Sequence, residues 1–180
     1  MKKPIRVTVA LDEESYDIFN RLRDELNISQ SELVRRIIKF YSAYRSLESY
    51  DSEKIMIYIE MLAEGEHVIL DIDHFITFLR FIESHPDKEE FWKIHREVAK
   101  AHAEQFKGKD VEYVLRRLEA CNFFRINRIG KDEWTLILVN EVTKNFVKMF
   151  LEEVFRDMGY DFDVRENLTK LRLKIKKSVQ

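Results

Sequence analysis

The chain has one cysteine, two prolines and four glycines in 180 residues. A lone thiol, Cys121, cannot close an intramolecular disulfide or build a cysteine-rich zinc site. That suits a reducing cytoplasm, the expected location. So few glycines and prolines leave few breaks, so long regular elements and short loops are expected. No run reaches the roughly 18 apolar residues that cross a bilayer. No apolar stretch follows the basic start, so neither a membrane span nor a signal peptide is expected. There is no glycine-rich loop to cradle a phosphate. A dominant sign of charge is also missing: 31 Lys and Arg face 33 Asp and Glu, a net charge of −2. Attraction to nucleic acid must therefore come from the distribution of charge rather than its sum.

What is present is 45% apolar and 36% charged residues. That composition belongs to a folded domain rather than a disordered chain. Thirteen Phe, seven Tyr and two Trp make the chain rich in aromatic rings. Residues 1–10 hold Lys2, Lys3 and Arg6 and no acid.

The stretch from residue 5 to residue 40 is the most specific. Val7, Val9 and Leu11 alternate with Arg6, Thr8 and Ala10, the period of a strand. Asp12 offers a helix cap, followed by the acidic first turn Glu13-Glu14. Ile18, Leu22 and Leu26 then recur at helical spacing. Asn27 suits a left-handed helix end. Ser29 with Glu32 spells a capping box, and Leu33, Ile37 and Phe40 carry a second helix. One strand cannot satisfy its own backbone, and so short a segment cannot bury its apolar surface. A dimer solves both problems: two strands pair antiparallel above four intertwined helices. Its polar face then presents Arg6, Thr8 and Ala10 from each subunit, on a ribbon that fits a DNA major groove.

Through RVTVALDEE at residues 6–14 and NISQSELVRRII at residues 27–38, the segment resembles the ribbon-helix-helix DNA-binding domains of the Arc, MetJ and CopG type. The resemblance implies base reading by Arg6, Thr8 and Ala10. It implies phosphate binding at the start of the second helix, by Ser29, Gln30 and Ser31. Lys2, Lys3 and Arg35 are the further candidate phosphate contacts. Asn27 stands where the family usually has glycine. Ala10 has no hydrogen-bonding group, so it can only touch a thymine methyl or give clearance.

The expected fold class is α+β. A ribbon-helix-helix dimerisation and DNA-binding domain over residues 1–50 precedes a mostly helical α/β domain over 51–180, which ends in a small sheet. Helices are expected over 53–63, 74–84, from Asp87 to about Phe106, over 110–121 and over 142–158. Strands are expected at 66–70, 123–129, 133–139, 160–164 and 168–176, with a turn at Glu166-Asn167. The 74–84 helix is apolar nearly all round, which predicts either a buried central helix or a dimer contact. In the helix after Asp87, Phe91, Ile94, Val98, Ala101 and Gln105 mark the predicted inner face, with Trp92 and His95 beside it. In the last strand Leu171, Leu173 and Ile175 should point inward and Lys170, Arg172, Lys174 and Lys176 outward.

No metal, cofactor or enzyme constellation stands out. His67 and His74 are seven residues apart, as are His95 and His102. The second pair would lie about 10 Å apart along one helix, too far to share an ion. The aromatics of the middle helices, including Phe75, Phe78, Phe81, Phe91, Trp92, Phe106 and Tyr113, read first as core and second as a pocket for an apolar effector. The expected function is a sequence-specific transcriptional regulator, a repressor, binding double-stranded DNA as a homodimer or as a tetramer on DNA. An unidentified small-molecule effector remains open as a further partner. The alternative is an antitoxin-like interaction module whose ribbon serves dimerisation and autoregulation.

Overall fold

Local hydrogen bonds set the first elements. The Asp12 carboxylate accepts the Ser15 amide at 2.8 Å and starts helix α1, Glu13–Leu26. Asn27 ends it at φ 49° and ψ 50°, a left-handed conformation that Asn adopts more readily than most residues. Ser29 Oγ accepts the Glu32 amide at 3.2 Å and starts α2, Gln30–Tyr44. The second half of the capping box does not form. The Glu32 carboxylate turns to Arg35 and Arg36, which lie on its own helix face. A short 3-10 segment, Arg45–Ser49, follows. Asp51 then accepts the amides of Glu53 and Lys54 and opens α3, Ser52–Ala63.

This computed structural model describes residues 5–63, 65 and 67–178. The chain divides into two compact units, Met1–Ile55 and Met56–Gln180. Unit 1 contains α1, α2 and residues 5–12, which form no helix or strand. Unit 2 contains α4, Ile72–Ser84, α5, Lys88–Gln105, α6, Val111–Ala120, and α7, Lys144–Asp157. Its four strands are β1, Phe124–Gly130, β2, Glu133–Leu138, β3, Tyr160–Asn167, and β4, Lys170–Ser178. They form one antiparallel sheet in the order β1-β2-β4-β3. The chain thus crosses from β2 through α7 to the far edge, and β4 fills the gap.

Period-two alternation makes one face of the sheet apolar. Trp134, Leu136, Leu138, Leu171 and Leu173 are buried there against Val147, Phe150, Leu151, Val154 and Phe155 of α7. Val114, Leu115 and Leu118 of α6 complete the core. The opposite face is polar, with Lys170, Arg172, Lys174 and Lys176 exposed as their alternation predicts. Asp110 caps α6 by accepting the Tyr113 amide at 2.8 Å.

Four expectations need correction. Residues 67–70 form no strand; they link two helices and have no neighbouring ladder to complete their backbone bonds. Glu66, the first residue of that expected strand, lies outside the described residues. Helix α4 is not a buried central helix of the single chain, which overturns that alternative and leaves the dimer contact untested: only Ile76 and Leu79 are buried, and Phe78 and Phe81 are exposed. The inner face of α5 is shifted by one residue. Trp92, His95, Ala99 and Ala103 are buried, while Ile94 and Val98 are exposed. Small alanines let α5 lie close to α7. Finally, β3 continues through Asn167, because Glu166 pairs with Leu171 and Asn167 with Lys170. The turn therefore moves to Leu168, which takes φ 50°.

Candidate nucleic-acid interface

Residues 5–12 lie outside any helix or strand of the single chain. Their side chains are out in solvent on both sides. Arg6, Thr8 and Ala10, the expected base readers, are all exposed. So are the apolar residues between them: Ile5 is 91%, Val7 79% and Val9 68% exposed. Among the described residues of the unit, none covers this alternation. Among the described residues of unit 1, Leu33 alone is buried. Ile18, Leu26, Val34, Ile37, Phe40 and Tyr44 remain exposed on the two helices. Leaving that much apolar surface in water is unfavourable at roughly 25 cal/mol per Å².

The expected phosphate site sits at the start of α2. Ser29 is the cap, and its hydroxyl oxygen is occupied by the Glu32 amide. The Leu33 amide bonds to the Ser29 carbonyl at 2.9 Å. The amides of Gln30 and Ser31, at the first two helical positions, have no such partner among the described residues. Free amides of this kind, aligned with the helix dipole, suit an anion. Arg35 is less available. Its Nε and Nη2 donate to Glu32 Oε2 at 3.1 and 2.8 Å, and Arg36 Nε donates to Oε1 at 3.2 Å. These two guanidiniums, Arg35 first, hold the Glu32 carboxyl below the usual range. A phosphate at Arg35 would have to compete with that carboxylate. Lys2 and Lys3 lie outside the described residues.

The polar face of the unit 2 sheet is a weaker candidate for a second backbone contact. Acids answer its cations: Arg172 pairs with Glu133, Arg165 with Asp163 and Lys176 with Asp161.

Histidine placement follows no metal-site pattern. Among the described residues, no group of three or more His, Cys, Asp or Glu is arranged to hold an ion. His74 and His85 are exposed. His67, His95 and His102 instead line a cavity in unit 2 together with Phe75, Phe106 and Phe146. Sequence reading ranked a pocket at the aromatics of the middle helices second to core packing, and did not place the histidines in it. Of the aromatic cluster it proposed, Phe75 and Phe106 reach the cavity, Trp92 is buried in packing, and Phe78 and Phe81 face outward. Among the described residues, no helix is long and apolar enough to cross a membrane.

Residues 5–45 match the family described as ribbon-helix-helix protein, copG family. Comparisons with curated proteins and with solved structures give no match.

Proposed function

We propose that this chain, which carries a ribbon-helix-helix domain of the copG family at residues 5–45, is a sequence-specific transcriptional regulator that binds DNA as a homodimer. The observation that carries this reading is the bare alternation of residues 5–11. Its backbone has no ladder and its apolar side chains have no cover in one chain. A second copy supplies both. Two such segments pair antiparallel, and Val7, Val9 and Leu11 turn onto the four helices below. Arg6, Thr8 and Ala10 then line the outer face of a two-stranded ribbon, the shape a major groove admits.

In this reading Arg6 donates to a guanine edge, Thr8 bonds to a base, and Ala10 touches a thymine methyl. The α2 amides near Ser29, Gln30 and Ser31 hold a phosphate and fix the ribbon's register. Lys2, Lys3 and Arg35 add salt-sensitive attraction without reading sequence. Repression is steric: dimers, alone or as a tetramer on DNA, occupy the operator and exclude polymerase. Residues 1–50 act as the DNA-binding and dimerisation part, and residues 51–180 assemble dimers or sense an effector.

Footprinting tests this reading. The purified protein is titrated onto fragments that include the region upstream of its own gene, at ~0.15 M salt with excess nonspecific competitor. A discrete protected site with twofold symmetry is expected. Weak protection at every sequence, lost on adding salt, would contradict it and favour the interaction-module reading.

A further inference from the structure

Unit 2 holds a cavity of about 650 Å³ between the end of α3, residues 67–70 and helices α4 to α7. That is within the range of small-ligand sites. Its wall is largely apolar and aromatic. Phe75 meets Phe146 edge-on at 5.2 Å and Phe123 at 5.6 Å, and Phe123 and Phe146 lie 5.8 Å apart. All three rings line the cavity, and their edges and faces suit a further aromatic ring.

The deeply buried imidazole in that wall is His95, 5% exposed. Its Nε2 faces the Phe146 carbonyl at 3.0 Å. A carbonyl can only accept, so Nε2 carries the proton. Burial keeps the ring below the ordinary histidine range and therefore neutral at pH 7. Nδ1 then carries a lone pair and can only accept. Among the described residues no group donates to it. Nor is any fully buried side-chain nitrogen or oxygen among them left without a partner, so Nδ1 is open to a molecule the size of water. With His95 in the lining, that opening is the cavity.

An open acceptor in an apolar wall is satisfied by a donor. Charge narrows the choice of donor. Among the described residues no Asp or Glu lines the cavity, so a cation would lose its hydration without a counterion. Arg117 in the lining already has partners, Glu60 among them, and an anion would compete with these. A neutral aromatic hydroxyl meets both conditions. The His95 ring lies 4.0 Å from that of Phe146, so acceptor and aromatic wall are adjacent. His67 and His102 hold Nδ1 on the Met61 and Val98 carbonyls. Both are only half-buried, so water can serve their remaining nitrogens.

We propose that this cavity binds a neutral phenol, its hydroxyl donating to His95 Nδ1 and its ring packed against Phe75, Phe123 and Phe146. The inference stands on unit 2 alone and does not depend on DNA binding by residues 5–45.

Two probes of like shape test it: 2-naphthol, which donates, and 2-methoxynaphthalene, which cannot. The full-length protein is titrated with each by calorimetry near neutral pH, below the solubility limit. 2-Naphthol should bind saturably and about three- to tenfold more tightly, the margin of one hydrogen bond between neutral groups. His95→Leu should remove that margin and keep 2-methoxynaphthalene binding. Val98 lines the cavity yet is 44% exposed, so Val98→Trp can enter the cavity without displacing the core and should weaken both probes. Equal affinities in the unaltered protein would mean that water serves Nδ1, and would overturn the hydroxyl assignment. An undiminished margin in H95L overturns His95 as the acceptor. No saturable response to either probe, or a full response in V98W, overturns the site itself. Should H95L fail to fold, imidazole nitrogen NMR of the unaltered protein decides: 2-naphthol should shift the unprotonated nitrogen of His95 and 2-methoxynaphthalene should not.

Discussion

His95 is buried on α5 with one ring nitrogen committed to the Phe146 carbonyl, and its ring lies 4.0 Å from that of Phe146. Burial favours its neutral form and lowers its pKa. The unfolded chain takes up this proton near pH 6.5, the folded chain only at lower pH. Between those values the unfolded state binds more protons, so stability rises with pH and is lost on acidification. The melting temperature should therefore fall on going from about pH 7 to pH 5, and fall less steeply in His95→Gln. Parallel profiles would contradict the buried neutral ring. The caps at Asp12 and Ser29, by contrast, were legible in sequence, because a hydrogen bond spanning three residues decides each of them. The orientation of His95 was not, because its partner lies on α7, 51 residues away. Glu32 shows the limit of local reading. Two equally local options competed for its carboxylate, and the arginines one turn ahead took it.

Elements with a single, strict period were read correctly. The alternation of β4 placed Leu171 and Leu173 inward without error. Helix α5 was misplaced by one residue because Ile94 and Val98 lie off its contact face, which Trp92, His95, Ala99 and Ala103 form. Packing on α7 requires small residues, and Ala99 at 0% exposure supplies one. This gives a direct comparison. Ala99→Leu should destabilise the protein by roughly 1–3 kcal/mol through overpacking. Ile94→Ala, at a residue 55% exposed, should change stability by no more than about 0.5 kcal/mol. Urea midpoints measure both, and the reverse order would restore the sequence-based face. The apolar run at 67–70 illustrates a related failure. Residue type suited a strand, but a strand also needs an edge to join, and sequence does not say where edges are.

For the molecule as a whole, the two units differ in how complete they are. Unit 2 closes its own core between one sheet face and three helices. Unit 1 leaves its helices and residues 5–11 largely uncovered, and residues 5–45 match a family described as ribbon-helix-helix protein. The N-terminal domain was legible because strand period, turn, cap and helix agree within 40 residues. The cavity of unit 2 was not, because its wall is gathered from α3 to α7 and no short motif marks it.

The central claim, that residues 5–11 read DNA sequence, is tested most directly at Arg6. Affinities of the unaltered protein and Arg6→Ala are measured on the footprinted operator and on a scrambled duplex of equal length, at the same salt concentration. The account predicts a loss of about 1–3 kcal/mol per base contact on the operator and little change on the scrambled duplex. An equal loss on both would contradict it, because Arg6 would then be a phosphate contact and the ribbon would not be the reader.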